Sequence, residues 1–312
     1  VYLIPFKRAL DAGVATFMSS FSDLNGVPAT GNEYLMRQVL RDEWGFEGFV
    51  VSDWDAIREL TVHGFSADDR EAVEAAINAG INMEMASSLY KEQLPSLVSD
   101  GEVDETALDD LVYGILKLKF ELGLFDKPYT NPDNFPHLVN DEHRRVAKNA
   151  ALRSCVLLKN KQQVLPLQVD QLRSIAVIGP LADDGYEQLG TWVFDGESHH
   201  SHTCLQAIHD LVGDKVDIHW ARGLQSSRCR EHEGHKEAIK LAEESDVAIL
   251  FMGEESILSG EAHCRAEINL PGSQEALIEQ VAATGTPVVL VVMAGRPLTL
   301  GSILDKVSSV LY

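Results

Sequence analysis

Along residues 13–125, apolar positions follow two alternating periods. Short runs rich in apolar and β-branched residues, "GVATFMSSF" (13–21), "GFVVSD" (48–53) and "GINMEM" (80–85), read as strands. Between and after them, apolar residues recur every three or four positions, which predicts helices over Glu33–Trp44, Asp69–Asn78, Leu89–Ser99 and Glu105–Leu122, the last ended by Gly123. This β-α-β-α rhythm implies a parallel sheet with helical crossovers. Each strand also runs out into polar residues: Ser19 and Ser20, then Ser52 and Asp53, then Glu84. Strands ending this way fit a TIM (β/α)8 barrel, whose chemistry gathers at the strand C-termini. Three strands cannot close a barrel, so residues 1–125 read as its C-terminal part, with the other strands expected upstream of Val1.

The stretch "FDKPYTNPDNFPHLVND" lacks periodicity and is rich in Pro, Asn and Asp, so residues 126–141 read as an interdomain linker. A second α/β unit follows over 142–312. Helices are predicted at Glu142–Arg153, Lys236–Glu244 and Gln274–Thr284, and strands at "SIAVIGP", "KVDIHW", "DVAILFMGE" and "PVVLVVMAGRP". That order suggests a doubly wound α/β sandwich, which collects ligands at strand C-terminal edges. Gly179 and Gly253 both close strands, yet no GxGxxG is present, which argues against a dinucleotide. The opening "VYLIPFKRAL" has neither an initiator Met nor a signal-peptide layout, and "SSVLY" halts within a strand pattern. The chain is therefore expected to be a piece of a longer protein, truncated in its second domain.

Composition narrows the partners. The 312 residues are 45% hydrophobic, enough for a large core, and no apolar run is long enough to span a bilayer. The formal charge of −22 argues against nucleic acid and anionic membranes, both of which need basic patches, and leaves a neutral sugar open. Cys155, Cys204, Cys229 and Cys264 are widely spread without a CxxC pair, so zinc-ribbon and thioredoxin readings fail.

The chemistry concentrates in "GFVVSDWDAIREL". A lone Asp after a strand more often caps the next helix. Here Ser52, Asp53, Trp54 and Arg58 cluster where a barrel would place its site. An ionised carboxylate beside an indole suits sugar cleavage. Arg58 either steadies the Asp53 carboxylate or is a solvated helix residue.

The segment "VLRDEWGFEGFVVSDWDA" resembles the nucleophile signature of glycoside hydrolase family 3, and the similarity continues through "FMSSFSDLNGVPAT", "AGINMEM", "LKLKFELGLFD", "SCVLLKN", "IAVIGPLAD" and "AGRPL". The resemblance implies that Asp53 is the nucleophile, that Trp54 flanks the +1 sugar, and that Met18 lines the −1 pocket. Phe21 falls where many relatives carry Tyr, a departure that bears on substrate preference. Two-domain members carry a Glu acid/base on a loop of the second domain. Of Glu254, Glu255, Glu261 and Glu267, the one that matches is Glu261, in "GEAHCR", and Trp192 in "LGTWVFDG" matches the other wall of the +1 site. Further residues gripping the −1 sugar (an Asp, an Arg and a Lys-His pair) would lie outside this chain. His199, His200, His202 and Cys204 form a tract without an established metal-ligand spacing and read as a flexible polar loop near the cleft.

The implied reaction is retaining hydrolysis of terminal β-D-glucosyl residues from β-glucosides and short β-glucan oligosaccharides, with two carboxyls about 5–5.5 Å apart and no metal or cofactor. A β-xyloside or another β-glycoside is the nearest alternative. An N-acetylglucosaminidase fits less well, since such relatives use a His-Asp dyad. A sugar-binding relative without catalysis is the non-enzyme reading, and the survival of Asp53 and Glu261 counts against it. The implied partner is a small carbohydrate, with no nucleic acid or membrane. A homodimer is admitted, and the location is periplasmic or secreted.

Overall fold

The computed structural model describes residues 1–135 and 139–312; three residues of the expected linker, 136–138, lie outside them. The chain divides into two compact units, residues 1–135 and 136–312.

The first unit is built on a three-stranded parallel sheet. Helix α1 (Leu3–Asp11) leads to β1 (Thr16–Met18) and to a small hairpin of β2 (Asp23–Leu24) and β3 (Val27–Pro28). Its turn is Asn25-Gly26, with φ of 56° and 82°, the left-handed pair that a tight hairpin demands. Strand β4 (Phe49–Trp54) is followed by α2 (Ala56–Val62) and α3 (Asp69–Ala79), then β5 (Met83–Met85), α4 (Leu89–Ser99) and α5 (Glu105–Glu121). The strand order is β1-β4-β5. Between β3 and β4 the amphipathic stretch expected as an ordinary helix is wound as a π-helix, Tyr34–Glu43. Its buried Met36, Val39 and Leu40 still face the core, because the apolar stripe survives the wider winding. The sequence reading passed over α1, the hairpin and α2.

Helix α3 shows how sequence sets position in this unit. Asp68 caps it by accepting the N–H groups of Arg70 and Glu71 at 2.9 and 3.0 Å. Its small buried residues Ala72, Ala76 and Ala79 let it pack closely beside Val50, Ile57 and Leu89. Asn82 ties the elements together. Its Oδ1 accepts the Val50 N–H and an Arg41 N–H, each at 2.8 Å, while its Nδ2 donates to the Leu111 carbonyl at 2.8 Å.

The second unit holds a six-stranded sheet. Helix α6 (Asp141–Ser154) precedes β6 (Leu157–Asn160) and β7 (Ser174–Ile178). Then come α7 (Cys204–Val212), β8 (Asp217–Ala221), α8 (His235–Glu243), β9 (Val247–Gly253), α9 (Gln274–Ala282), β10 (Val288–Met293) and β11 (Ser309–Leu311). The order is β6-β11-β10-β9-β7-β8, parallel throughout except for β6, an antiparallel edge strand that the sequence reading missed. All seven residues of β9 are buried, as a near-continuous apolar run requires. Ala248, Leu250 and Met252 pack with Ala238, Leu277 and Ile278 of α8 and α9; Val247, Ile249 and Phe251 pack with Leu205 and Val212 of α7. Successive side chains thus serve opposite faces.

The polar tract expected as a flexible loop is partly helical. Cys204 opens α7, and Thr203 with Gln206 forms a capping box at its start. His199 and His200 sit in a short 3-10 turn, Ser198–His200.

The Asn82 junction yields a stability prediction. Asn82→Ala removes three hydrogen bonds and leaves the Val50 N–H and Leu111 carbonyl without their partner, so unfolding in urea should show a loss of about 2–3 kcal/mol. A loss below roughly 0.5 kcal/mol, the range of ordinary surface changes, would contradict the role given to this side chain.

Candidate active site

In the first unit the candidate residues collect at the C-terminal edge of the parallel sheet. Along β4 the buried positions are Val50 and Ser52. The Ser52 hydroxyl accepts the Met85 N–H at 2.9 Å and donates to the Asp53 carbonyl at 2.9 Å, which pins the strand end to β5. Asp53 is the next residue, half-buried, and its carboxylate accepts the Trp54 N–H at 2.7 Å. Trp54 is 68% exposed, so its indole is a surface platform and not a core aromatic. Asp55 then adopts a left-handed φ of 54° and turns the chain into α2. On the neighbouring strand Met18, paired in register with Val51, is half exposed at the same edge.

Two other expectations fare differently. Arg58 does not steady Asp53: its guanidinium pairs with Asp69 at 3.0 Å and Asp55 at 3.5 Å. The nearer partner is Asp69, which the fold brings to it from the start of α3; Asp55, one helical turn before it, adds the second contact. Phe21 lines a cavity of about 600 Å³ with Asp23, His63 and Phe65, and Asp53 is not among that cavity's walls. Glu84, the other carboxylate at a strand end, is occupied in capping α4: it accepts from the Ser87 hydroxyl at 2.6 Å and from the Leu89 and Tyr90 N–H groups.

In the second unit the strand order reverses between the parallel neighbours β7 and β9: β8 is added on one side of β7, and β9 then β10 on the other. Open α/β sheets form ligand crevices at such a switch point, outside the strand C-termini. The segments that follow β7, β8 and β9 line a cavity of about 420 Å³ there, with Thr191, Trp192, Arg228, Glu255, Glu261 and His263 among its walls. Trp192 is 61% exposed with a left-handed φ of 66°, and its ring lies 6.2 Å from that of Phe194. Thr191 and Ser259 hydroxyls meet at 2.7 Å, tying the Trp192 segment to the loop bearing Glu261. Gly260, at φ 111°, makes that approach achievable: a Cβ there would lie 2.5 Å from the Thr191 methyl.

The four glutamates of this loop have four different environments. The Glu254 side chain is fully buried between Arg265 and Arg296. Glu255 accepts from the Ser227 hydroxyl at 2.7 Å and from Arg228 at 3.1 Å. Its burial alone would raise its pKa, but the hydrogen bonds from Arg228 and Ser227 prevail and hold it below the ordinary glutamate value. Glu267 is exposed and does not line the cavity. Glu261 is exposed, lines the cavity, and has no hydrogen-bond or ion-pair partner among the described residues. Arg228, Ser227 and Thr191 carried no local signal in the sequence, because they reach this loop from distant segments.

Of the histidine tract, Glu197, His199 and His200 bring three ligand atoms within 4.8 Å of one another, all exposed, while His202 pairs with Asp210 at 2.9 Å.

Comparison with known proteins supplies the family. The model of the glycosyl hydrolase family 3 N terminal domain matches residues 1–118, and that of the family 3 C-terminal domain matches residues 155–312. A periplasmic beta-glucosidase of Salmonella typhimurium is 39% identical over 96% of this chain, which spans 42% of that protein. A beta-xylosidase of Formosa agariphila is 35% identical over the whole chain and 45% of its own length. Among solved structures, a beta-glucosidase from Listeria innocua in complex with glucose matches 98% of this chain and 41% of its own, at 33% identity and a TM-score of 0.87. The chain thus spans well under half the length of these relatives. With the N-terminal family model matched over residues 1–118 and the C-terminal one over 155–312, the chain belongs to glycoside hydrolase family 3.

Proposed function

We propose that this chain carries the two catalytic carboxyls of a retaining β-glycosidase acting on terminal β-D-glucosyl residues of β-glucosides and short β-glucan oligosaccharides. The observation that carries the reading is Asp53, a carboxylate at the C-terminal end of β4 beside the exposed Trp54. In this reading residues 1–125 are the last strands and helices of a (β/α)8 barrel, 126–141 a linker, and 142–312 a doubly wound sandwich domain. The site would act in the periplasm or outside the cell, as the name of the Salmonella relative suggests for that protein. Among the described residues no helix is long and apolar enough to cross a membrane.

Chemically, Asp53 attacks the anomeric carbon and the glycosidic oxygen leaves, giving a covalent glycosyl-enzyme. Glu261 donates its proton to the departing oxygen, then takes one from the water that hydrolyses the intermediate, restoring both groups. A carboxyl serving as acid must be able to stay protonated, which Glu255 beside Arg228 cannot do readily. Glu261 lines the cavity and has no hydrogen-bond or ion-pair partner among the described residues, so its carboxyl is open to a glycosidic oxygen. Trp54 and Trp192 offer ring faces for sugar stacking, with Met18 as an apolar wall beside Asp53. A β-xyloside is the second reading, favoured by the Formosa relative.

Three measurements follow. Asp53→Ala in the intact protein should lower turnover of an aryl β-glucoside by several orders of magnitude with an unchanged melting curve; retention of more than a few per cent of the rate would remove Asp53 from this role. Glu261→Ala should cripple cellobiose hydrolysis yet still form the glycosyl-enzyme from dinitrophenyl β-glucoside, and added azide should release β-glucosyl azide. Azide rescue of Glu255→Ala instead would move the assignment, and an α-azide would contradict retention.

The third measurement concerns pH. Glu255 has a lower pKa folded than unfolded, so its stabilisation is present above the ordinary glutamate value and disappears as pH falls through the lowered one. Arg228→Met should therefore cost on the order of 1 kcal/mol at pH 7. That cost should vanish in strong acid; a cost independent of pH would show that the pair is not its origin.

A further inference from the structure

Buried beneath the Glu261 loop is an ion cluster that the proposed chemistry does not use. The Glu254 side chain is wholly shielded from solvent. One carboxylate oxygen accepts from Arg265; the other accepts from Arg296 Nε at 3.2 Å. Arg296 lies just past β10 and its other donors reach across to the loop. Nη2 donates to the Leu258 carbonyl and to the His263 carbonyl, the latter at 2.7 Å. These carbonyls stand on either side of Glu261. Arg265 in turn donates to the Asn269 carbonyl at 3.0 Å, holding the outgoing end of the loop. The backbone around Arg296 is itself anchored, since the Tyr312 hydroxyl donates to the Arg296 carbonyl and accepts the Leu298 N–H at 3.0 Å.

We propose that Glu254 and Arg296 form a buried staple that positions the Glu261 carboxyl, with Arg265 as its second arm; this rests on the reading of Glu261 as acid/base. A guanidinium has a rigid planar fork, so fixing its Nε on one carboxylate oxygen also fixes where its remaining N–H groups point. Here they point at two loop carbonyls that bracket the reacting residue. The loop has few buried side chains of its own, Ser259 being one, and its Ile257 is exposed. Its conformation therefore depends on these backbone hydrogen bonds. Glu254 serves as a positioning residue, well removed from solvent and from proton transfer, which explains why one of two adjacent glutamates is buried with two arginines.

The staple should matter only where a proton must be delivered at a defined place. Cellobiose has a poor leaving group and needs that proton; dinitrophenyl β-glucoside does not. In the intact protein, Arg296→Met and Glu254→Gln should raise the ratio of kcat/KM for the dinitrophenyl substrate over cellobiose at least tenfold. Arg296→Lys, which keeps the charge but lacks the fork, should fall between these and the wild type, and it carries the comparison if Arg296→Met does not fold. Amide exchange over residues 256–264 should quicken in the same variants. A merely structural role would lower both substrates together and leave the ratio unchanged; a ratio within twofold of wild type in a folded variant overturns the proposal. Glu261→Ala measured alongside separates the two failures. If it too leaves the ratio unchanged, the acid/base reading falls. If it alone raises the ratio, the staple falls and Glu261 stands.

Discussion

A parallel strand covered on both faces has nothing to offer chemistry along its length. Its backbone groups are paired with two neighbours and its side chains are enclosed, so any polar group it carries to solvent must leave at an end. Strand β9 is buried from Val247 to Gly253, and its first carboxylates are Glu254 and Glu255, immediately beyond. Strand β4 buries Val50 and Ser52 and then presents Asp53 and Trp54. In β9 the exit also requires a residue without a side chain: a Cβ on Gly253 would fall 1.8 Å from the Met293 carbonyl oxygen. That close approach lets β9 and β10 run side by side up to the crevice, so the loops after them can exchange hydrogen bonds.

The second constraint is electrostatic. Four glutamates lie within fourteen residues of loop, in a chain of formal charge −22, and the fold gives each different surroundings. Removing one partner from a buried ion pair leaves an uncompensated charge and costs several kcal/mol, far more than the pair itself contributes. Glu254, Arg265 and Arg296 are therefore interdependent: none can change alone without exposing a charge to the interior. Glu255, nearer the rim, is held ionised by Arg228 and Ser227. Glu261 has no such partner among the described residues and stands on the wall of the cavity.

Much of the secondary structure was legible because it is encoded locally. Helix α4 spans Leu89–Ser99, as its periodicity predicts, and α9 starts at Gln274 as expected. The strand-end Asp was legible for the same reason, an apolar run breaking into Ser-Asp-Trp. What was missed falls into two kinds. Some signals were present and unread: Asn25-Gly26 marks a hairpin, and Thr203-x-x-Gln206 marks the start of α7 behind a histidine-rich tract that reads as loop. Others have no local signature. Nothing in the π-helix sequence distinguishes it from an α-helix, since the apolar face is the same. The partners of Glu254 lie 11 and 42 residues away, and Arg58 turns to Asp69, also 11 residues on. Such pairings arise only when the chain folds, so the fate of each glutamate could not be read from spacing.

The central claim is covalent, and a covalent label tests it most directly. A 2-deoxy-2-fluoro-β-D-glucoside with a dinitrophenolate leaving group slows both steps, but its activated leaving group keeps formation of the glycosyl-enzyme faster than its hydrolysis. Incubation with the intact protein should cause time-dependent inactivation, and mass spectrometry of the digest should find one added fluoroglucosyl group on Asp53. Activity should return slowly as water releases the sugar. A label on any other carboxyl, or an active enzyme that the reagent never inactivates, would contradict the account.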